Sequence, residues 1–223
     1  MDWTAVALSI KLAIVVCAIL MVAGLPIAYW LTFSHRRWKF LVEAVVALPL
    51  VLPPTVLGFY VLVAIGSRSP VGRLWTSWTG QPLAFTFEAL VLASVLYSLP
   101  FVVQPMAAAF SQIDRTLLEA SATLGASRFR TFARIIIPLS RNGLITGAVL
   151  GFAHTIGEFG VVLMVGGNLA GETRTISIAL YDSVQSFDLA AAHRTSLALL
   201  LFSFASLMTV YGLIRKPWSV LHE

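Results

Sequence analysis

His154 and Glu158 come nearer than any other residues of this chain to a spacing that could do chemistry. They stand four apart in an otherwise apolar run, so on a helix they share one face. Such a pair can act as a proton relay or as half of a metal site. Two ligands are too few for a metal and no third lies nearby in sequence, so no metal is expected. If the run crosses a bilayer, an ionisable group at its centre costs about 2.5–3.5 kcal/mol, and the pair must face a polar cavity or a pathway. No Gly-x-x-x-x-Gly-Lys-Ser/Thr phosphate loop occurs, and no Ser/His/Asp or Cys/His set has credible spacing. Cys17 is alone within an apolar run and reads as a small hydrophobe. The chain is expected to hold no catalytic residue and no cofactor.

The elements that must position this pair follow from composition. Of 223 residues, 58% are hydrophobic and 11% charged, with a mean hydropathy of +0.88. A soluble domain is usually about 45–50% apolar and about 25% charged. Five stretches, 6–33, 41–66, 83–110, 139–165 and 196–214, are long enough to cross roughly 30 Å of hydrocarbon as helix. They lack the period-2 alternation of barrel strands. The expected fold is therefore all-α, a single polytopic transmembrane domain over 1–223 with five spanning helices.

A net charge of +5 would suggest nucleic acid in a soluble protein. In a membrane protein its placement matters more, and no nucleic-acid partner is expected. Ten basic residues, Arg36, Arg37, Lys39, Arg115, Arg128, Arg130, Arg134, Arg141, Arg215 and Lys216, fall on one side of the five spans. Five, Lys11, Arg68, Arg73, Arg174 and Arg194, fall on the other. The positive-inside rule then puts the N-terminus outside and the C-terminus in the cytoplasm. Asp2 in place of a basic n-region, and the length of the first apolar run, argue against a cleavable signal. The external segment 167–195 places Ile176, Ala179, Leu180 and Val184 at helical spacing, which predicts a short re-entrant or interfacial helix rather than a sixth span.

The longest cytoplasmic segment, 111–138, is the most patterned. Asp114 can cap a helix running to about Leu124, with Leu117, Ala120 and Leu124 on one face and Arg115 and Glu119 spaced for a weak ion pair. Gly125 sits where a residue of positive φ is wanted. Ser127 can start a second helix with an apolar stripe of Phe129, Phe132, Ala133 and Ile136, and Pro138 opens the fourth span. Helix, glycine turn and helix make a rigid protrusion. Helix physics leaves two uses for it: docking in a partner's groove, or lying on the membrane with its arginines on anionic headgroups.

Glu119-Ala120-Ser121, three residues, Gly125, nine residues, Ile135, one residue and Ile137-Pro138 resembles the EAA loop of ABC-importer permeases. Ser121 stands in place of the family's third-position Ala and Ile137 in place of its Leu. Leu48-Pro49-Leu50-Val51-Leu52-Pro53-Pro54, Gly157-Glu158-Phe159-Gly160 and Gly171-Glu172-Thr173-Arg174-Thr175 extend the likeness, and they resemble the molybdate-importer branch, with sulfate and tungstate permeases close relatives.

The resemblance implies a type I importer permease of the bacterial inner membrane, working as a homodimer. It also implies two cytoplasmic ATPase subunits, which hold the ATP and Mg, and a periplasmic or lipid-anchored oxyanion-binding protein. Coupling residues would then be Leu117, Glu119, Ala120, Ser121, Leu124, Gly125, Arg128 and Pro138. Gly171, Glu172, Thr173 and Arg174 would face the binding protein. A secondary transporter or channel driven by an ion gradient is the competing reading, with His154 and Glu158 as its relay.

Other residues carry two readings each. Pro49, Pro53 and Pro54, and likewise Pro100 and Pro105, either bend helices that line a pathway or make kinks that packing absorbs. Gly157, Phe159 and Gly160 flank Glu158 and are expected with it and His154 at the translocation path or its gate, where Glu158 either pairs with a cation or caps a local helix break. Gly143, Gly147 and Gly151 form a small-residue ridge, used within the chain or at a dimer seam. Glu88 snorkels or pairs with Arg73, and Tyr29, Trp30, Trp75 and Trp78 suit aromatic belts.

Overall fold

The computed structural model describes residues 1–214, and every regular element among them is helical. In chain order these are α1 (Trp3–Phe33), α2 (Lys39–Val51), α3 (Pro54–Ile65), α4 (Pro70–Thr79), α5 (Phe87–Ser111) and α6 (Arg115–Thr123). They continue with α7 (Arg128–Thr131), a π turn (Phe132–Ile136), α8 (Ile137–Leu139), α9 (Arg141–Gly157), α10 (Gly160–Gly166), α11 (Ile176–Gln185) and α12 (Leu189–Ile214). Three helices, α1, α5 and α12, are each long and apolar enough to cross a membrane, and the count rises to five if two bent pairs are each one span. Arg215 and Lys216, which enter the charge asymmetry, lie outside the described residues.

The helices α1, α5 and α9 form the centre. Leu12, Val16 and Leu20 of α1 interlock with Val102, Val103, Met106 and Phe110 of α5, all fully buried. The glycine ridge of α9 lies against the same face of α5. A Cβ on Gly151 would come within 2.4 Å of Val102 Cγ2, on Gly147 within 2.9 Å of the Val102 carbonyl, and on Gly143 within 2.3 Å of Ala109 Cβ. The ridge is used inside the chain, where it lets two backbones approach. A second cluster joins α3 to α10 through Leu57, Val61, Val161 and Val165.

The stretch 41–66 is not one helix. It is α2 and α3, bent by 114° at Leu52-Pro53. Neither Pro53 nor Pro54 has an N–H for the carbonyls of the preceding turn, so the helix stops at Val51, and Pro54 takes the first turn of the next, where no donor is needed. The stretch 139–165 is also divided. Its first helix begins at Arg141 after a 72° bend, and a second break at Glu158-Phe159 separates α9 from α10. Pro138 therefore does not open this span. It sits before the bend, and the π turn just ahead of it, with the Ile137 N–H bonded to the Phe132 carbonyl, widens the helix where the proline ring would meet the Arg134 carbonyl. The last helix starts at Leu189 rather than 196, with the Asp188 carboxylate accepting from the Ala191 N–H. Helix α4, capped by Ser69, has no counterpart in the sequence expectation. The short helix expected within 167–195 appears as α11, its first N–H donated to Ser9 Oγ of α1 at 2.8 Å.

Candidate functional site

Two places gather the residues singled out by sequence. The first is the break after α9. Glu158 retains 5% of its surface, and its Oε1 accepts the N–H groups of Val161 and Val162 at 2.8 and 3.2 Å. The carboxylate thus closes the start of α10, where those N–H groups have no helical partner. Its other oxygen lies 3.5 Å from Ser94 Oγ. His154 bonds elsewhere: Nδ1 is 2.9 Å from Ser98 Oγ, and the ring stacks on Phe101 with centroids 3.9 Å apart. Ser98 also meets Thr155 Oγ1 at 3.1 Å. His154 and Glu158 therefore share a face without sharing a proton-transfer contact, and each is held by a serine of α5. Ser94 and Ser98 were not anticipated, although two serines four apart in an apolar helix are a readable polar stripe.

The proline segment meets the same break. A Cβ on Gly160 would lie 2.7 Å from Pro54 Cβ, so the start of α3 rests directly on the start of α10. Gly58 repeats the close approach one turn on, against Met164. Pro49 is buried on α2, Pro53 is exposed at the bend, and Gly157 is exposed with nothing near its missing Cβ. Phe159, within the break, meets α11 through Tyr181, ring centroids 5.0 Å apart.

The second place is the 111–138 protrusion. Asp114 caps α6 by accepting the Thr116 N–H at 2.9 Å, and that bond holds its carboxyl below the usual range. Gly125 adopts φ +75, and Ala126 N–H returns to the Ser121 carbonyl to close the turn. Ser127 accepts from the Arg130 N–H, starting α7. Ser121 Oγ bonds Thr131 Oγ1 at 2.8 Å and clamps the two helices together, a contact the sequence did not disclose. Ser121 is thereby buried, whereas Leu117, Glu119, Ala120, Gly125, Arg128 and Pro138 are exposed and Leu124 keeps 85% of its surface. Among the described residues the ion pairs are Lys39–Glu43 and Arg174–Asp182, so neither Arg115–Glu119 nor Arg73–Glu88 forms.

At the far end, Gly171 and Glu172 are exposed and Arg174 is held by Asn168 at 2.6 Å and by Asp182 at 3.6 Å. Thr173 corrects the expectation of an outward-facing quartet. It has no exposed surface, and its hydroxyl donates to the Gly166 carbonyl and accepts from the Leu169 N–H, so it is the loop's internal brace. No group of three metal-ligating side chains occurs among the described residues.

Known proteins are similar to this chain in sequence and in fold. The molybdenum transport system permease protein ModB of Azotobacter vinelandii is 50% identical over 95% of this chain and 93% of its own. The Escherichia coli (strain K12) protein of the same name is 38% identical over 83% and 81%. Among solved structures, the inward-facing MetNI methionine ABC transporter superposes with a TM-score of 0.72 at 17% identity, covering 96% of this chain and 97% of that one. A bacterial ABC transporter that imports alginate gives 0.68 at 15%, covering 94% and 76%. The fold of broken helices around a protruding two-helix loop is thus that of ABC importer membrane chains. Residues 5–216 match the family described as binding-protein-dependent transport system inner membrane component, and the chain belongs to it.

Proposed function

We propose that this chain is the membrane-spanning permease of an ATP-driven importer, that its substrate is molybdate, and that it acts as a homodimer. The observation that carries the reading is the protrusion: a clamped pair of short helices that leaves Leu117 and Leu124 uncovered. Apolar side chains on a rigid knob suit a groove in a partner. Lacking a phosphate loop, the chain takes its energy through that partner, a cytoplasmic ATPase present in two copies. The basic loops support an N-out, C-in orientation in a bacterial inner membrane. The relatives named for molybdenum transport support the substrate.

In this reading ATP binding draws the two knobs together, and the helices behind them turn as rigid bodies between inward-open and outward-open states. The prolines of α2–α3 and the Gly157–Gly160 break line the path, since they are where backbone leaves the helical ladder. Gly171, Glu172 and Arg174 meet the binding protein that delivers the oxyanion. An ion-driven transporter with a His154–Glu158 relay finds no support, because the two side chains hold different partners.

Reconstitution tests the proposal. Proteoliposomes holding the permease, its ATPase and its binding protein should take up molybdate only with ATP. Uptake by this chain alone, driven by an ion gradient, would overturn it.

A further inference from the structure

The first helix and the protrusion enclose a groove of about 610 Å³ that neither Leu117 nor Leu124 lines, although one of its residues, Arg128, is among those the resemblance assigns to coupling. Val22, Leu25 and Tyr29 of α1 form one wall, and Arg128, Phe129 and Phe132 of the protrusion form the other. Tyr29 and Phe132 meet edge to face at 5.3 Å and close one part of the groove. Val22 keeps 78% of its surface and Phe129 79%, so both walls are uncovered.

Three observations fix the chemistry of the occupant. The α1 wall belongs to a helix long and apolar enough to span the membrane, so hydrocarbon adjoins it without any protein having to reach there. The groove is lined by apolar side chains with a single cation, Arg128, and no carboxylate. Arg128, Arg130, Arg134 and Arg141 lie close together in sequence, and none is within ion-pair distance of a carboxylate among the described residues. Of these Arg128 lines the groove, and an arginine beside a bilayer attracts anionic headgroups.

We propose that the groove holds the acyl chain of an anionic phospholipid from the adjoining leaflet, with Arg128 meeting its phosphate. The lipid then fills the space between α1 and α7 and seats the protrusion on the membrane, while Leu117 and Leu124 remain free for a protein partner. This site is independent of which solute is carried.

A photo-reactive side chain tests it. The full chain carrying Val22→p-benzoylphenylalanine, purified with whatever subunits accompany it, is placed in nanodiscs of phosphatidylglycerol and phosphatidylcholine in equal parts. The expected adduct is lipid, with phosphatidylglycerol favoured about fivefold, the enrichment that one arginine near the surface supplies. In the same background Arg128→Gln should bring the ratio to that of the disc, and Arg128→Lys should preserve it. Equal capture of the two lipids by the parent, the same ratio in Arg128→Gln as in the parent, or an adduct to protein would overturn the proposal.

Discussion

At the scale of single residues, Glu158 and Gly125 do the work of a backbone ladder that is locally missing. Glu158, itself buried, supplies the acceptor for two N–H groups at the start of α10 that have no helical partner. Glu158→Ala should lower the stability of the purified protein by about 1–2 kcal/mol in thermal unfolding, the usual worth of a cap. Glu158→Gln keeps an acceptor oxygen and should stay close to the parent. Equal losses in both variants would mean that charge, not capping, matters here. Gly125 holds φ +75, a conformation that costs a β-branched residue dearly. Gly125→Val should insert normally into the membrane yet fail to drive ATP-dependent uptake; transport at the parent rate would remove the knob from the coupling scheme.

At the scale of elements, the contact between α9 and α5 offers a sharper test because its neighbours differ in kind. Gly151 faces a side-chain methyl of Val102, whereas Gly147 faces the Val102 carbonyl. Gly151→Ala should destabilise by about 1–3 kcal/mol through overpacking. Adding Val102→Ala removes the obstructing methyl, so the pair should cost less than the sum of the single changes. Gly147→Ala should not be rescued by that second change, since the obstruction is backbone. Helix α6 has its own signature. Because the folded-state pKa of Asp114 lies below its ordinary 3.8, its contribution is fully present above that value and is lost as pH falls through the folded pKa. Protection factors of the α6 amides, taken relative to the intrinsic exchange rate at each pH, should therefore fall in acid before those of α5, and Asp114→Ala should lower them at neutral pH as well.

At the scale of the whole molecule, three unbroken helices form a frame and the broken ones carry the irregular backbone. That division suits a transporter: non-helical backbone at membrane depth is tolerated where it is buried in protein or lines a cavity. The proposed coupling requires a stiff knob, and the bond between Ser121 and Thr131 locks its two helices together. Leu124 projects from it with most of its surface free, so Leu124→Glu should leave the permease folded and inserted while abolishing co-purification of the ATPase. Retention of the ATPase by that variant would place docking elsewhere.

The all-helical membrane class was legible in composition and run length, because lipid admits few other solutions. The knob was legible too, since Asp114, Gly125 and Ser127 act through contacts within a few residues. What tertiary structure decided was everything set by distant neighbours. Pro53 and Pro54 announced a bend but not one of 114°, which depends on α3 lying against α10 over Gly58 and Gly160. The glycine ridge could have served a dimer until Val102 and Ala109 were found against it. Thr173 looked like surface and proved to be interior. His154 and Glu158 share a helix face by sequence alone, yet Ser94 and Ser98 of another helix separate their roles, one stacked beside Phe101 and the other capping α10. Spacing along a chain specifies which side chains can point together; which of them meet is settled by the element packed opposite.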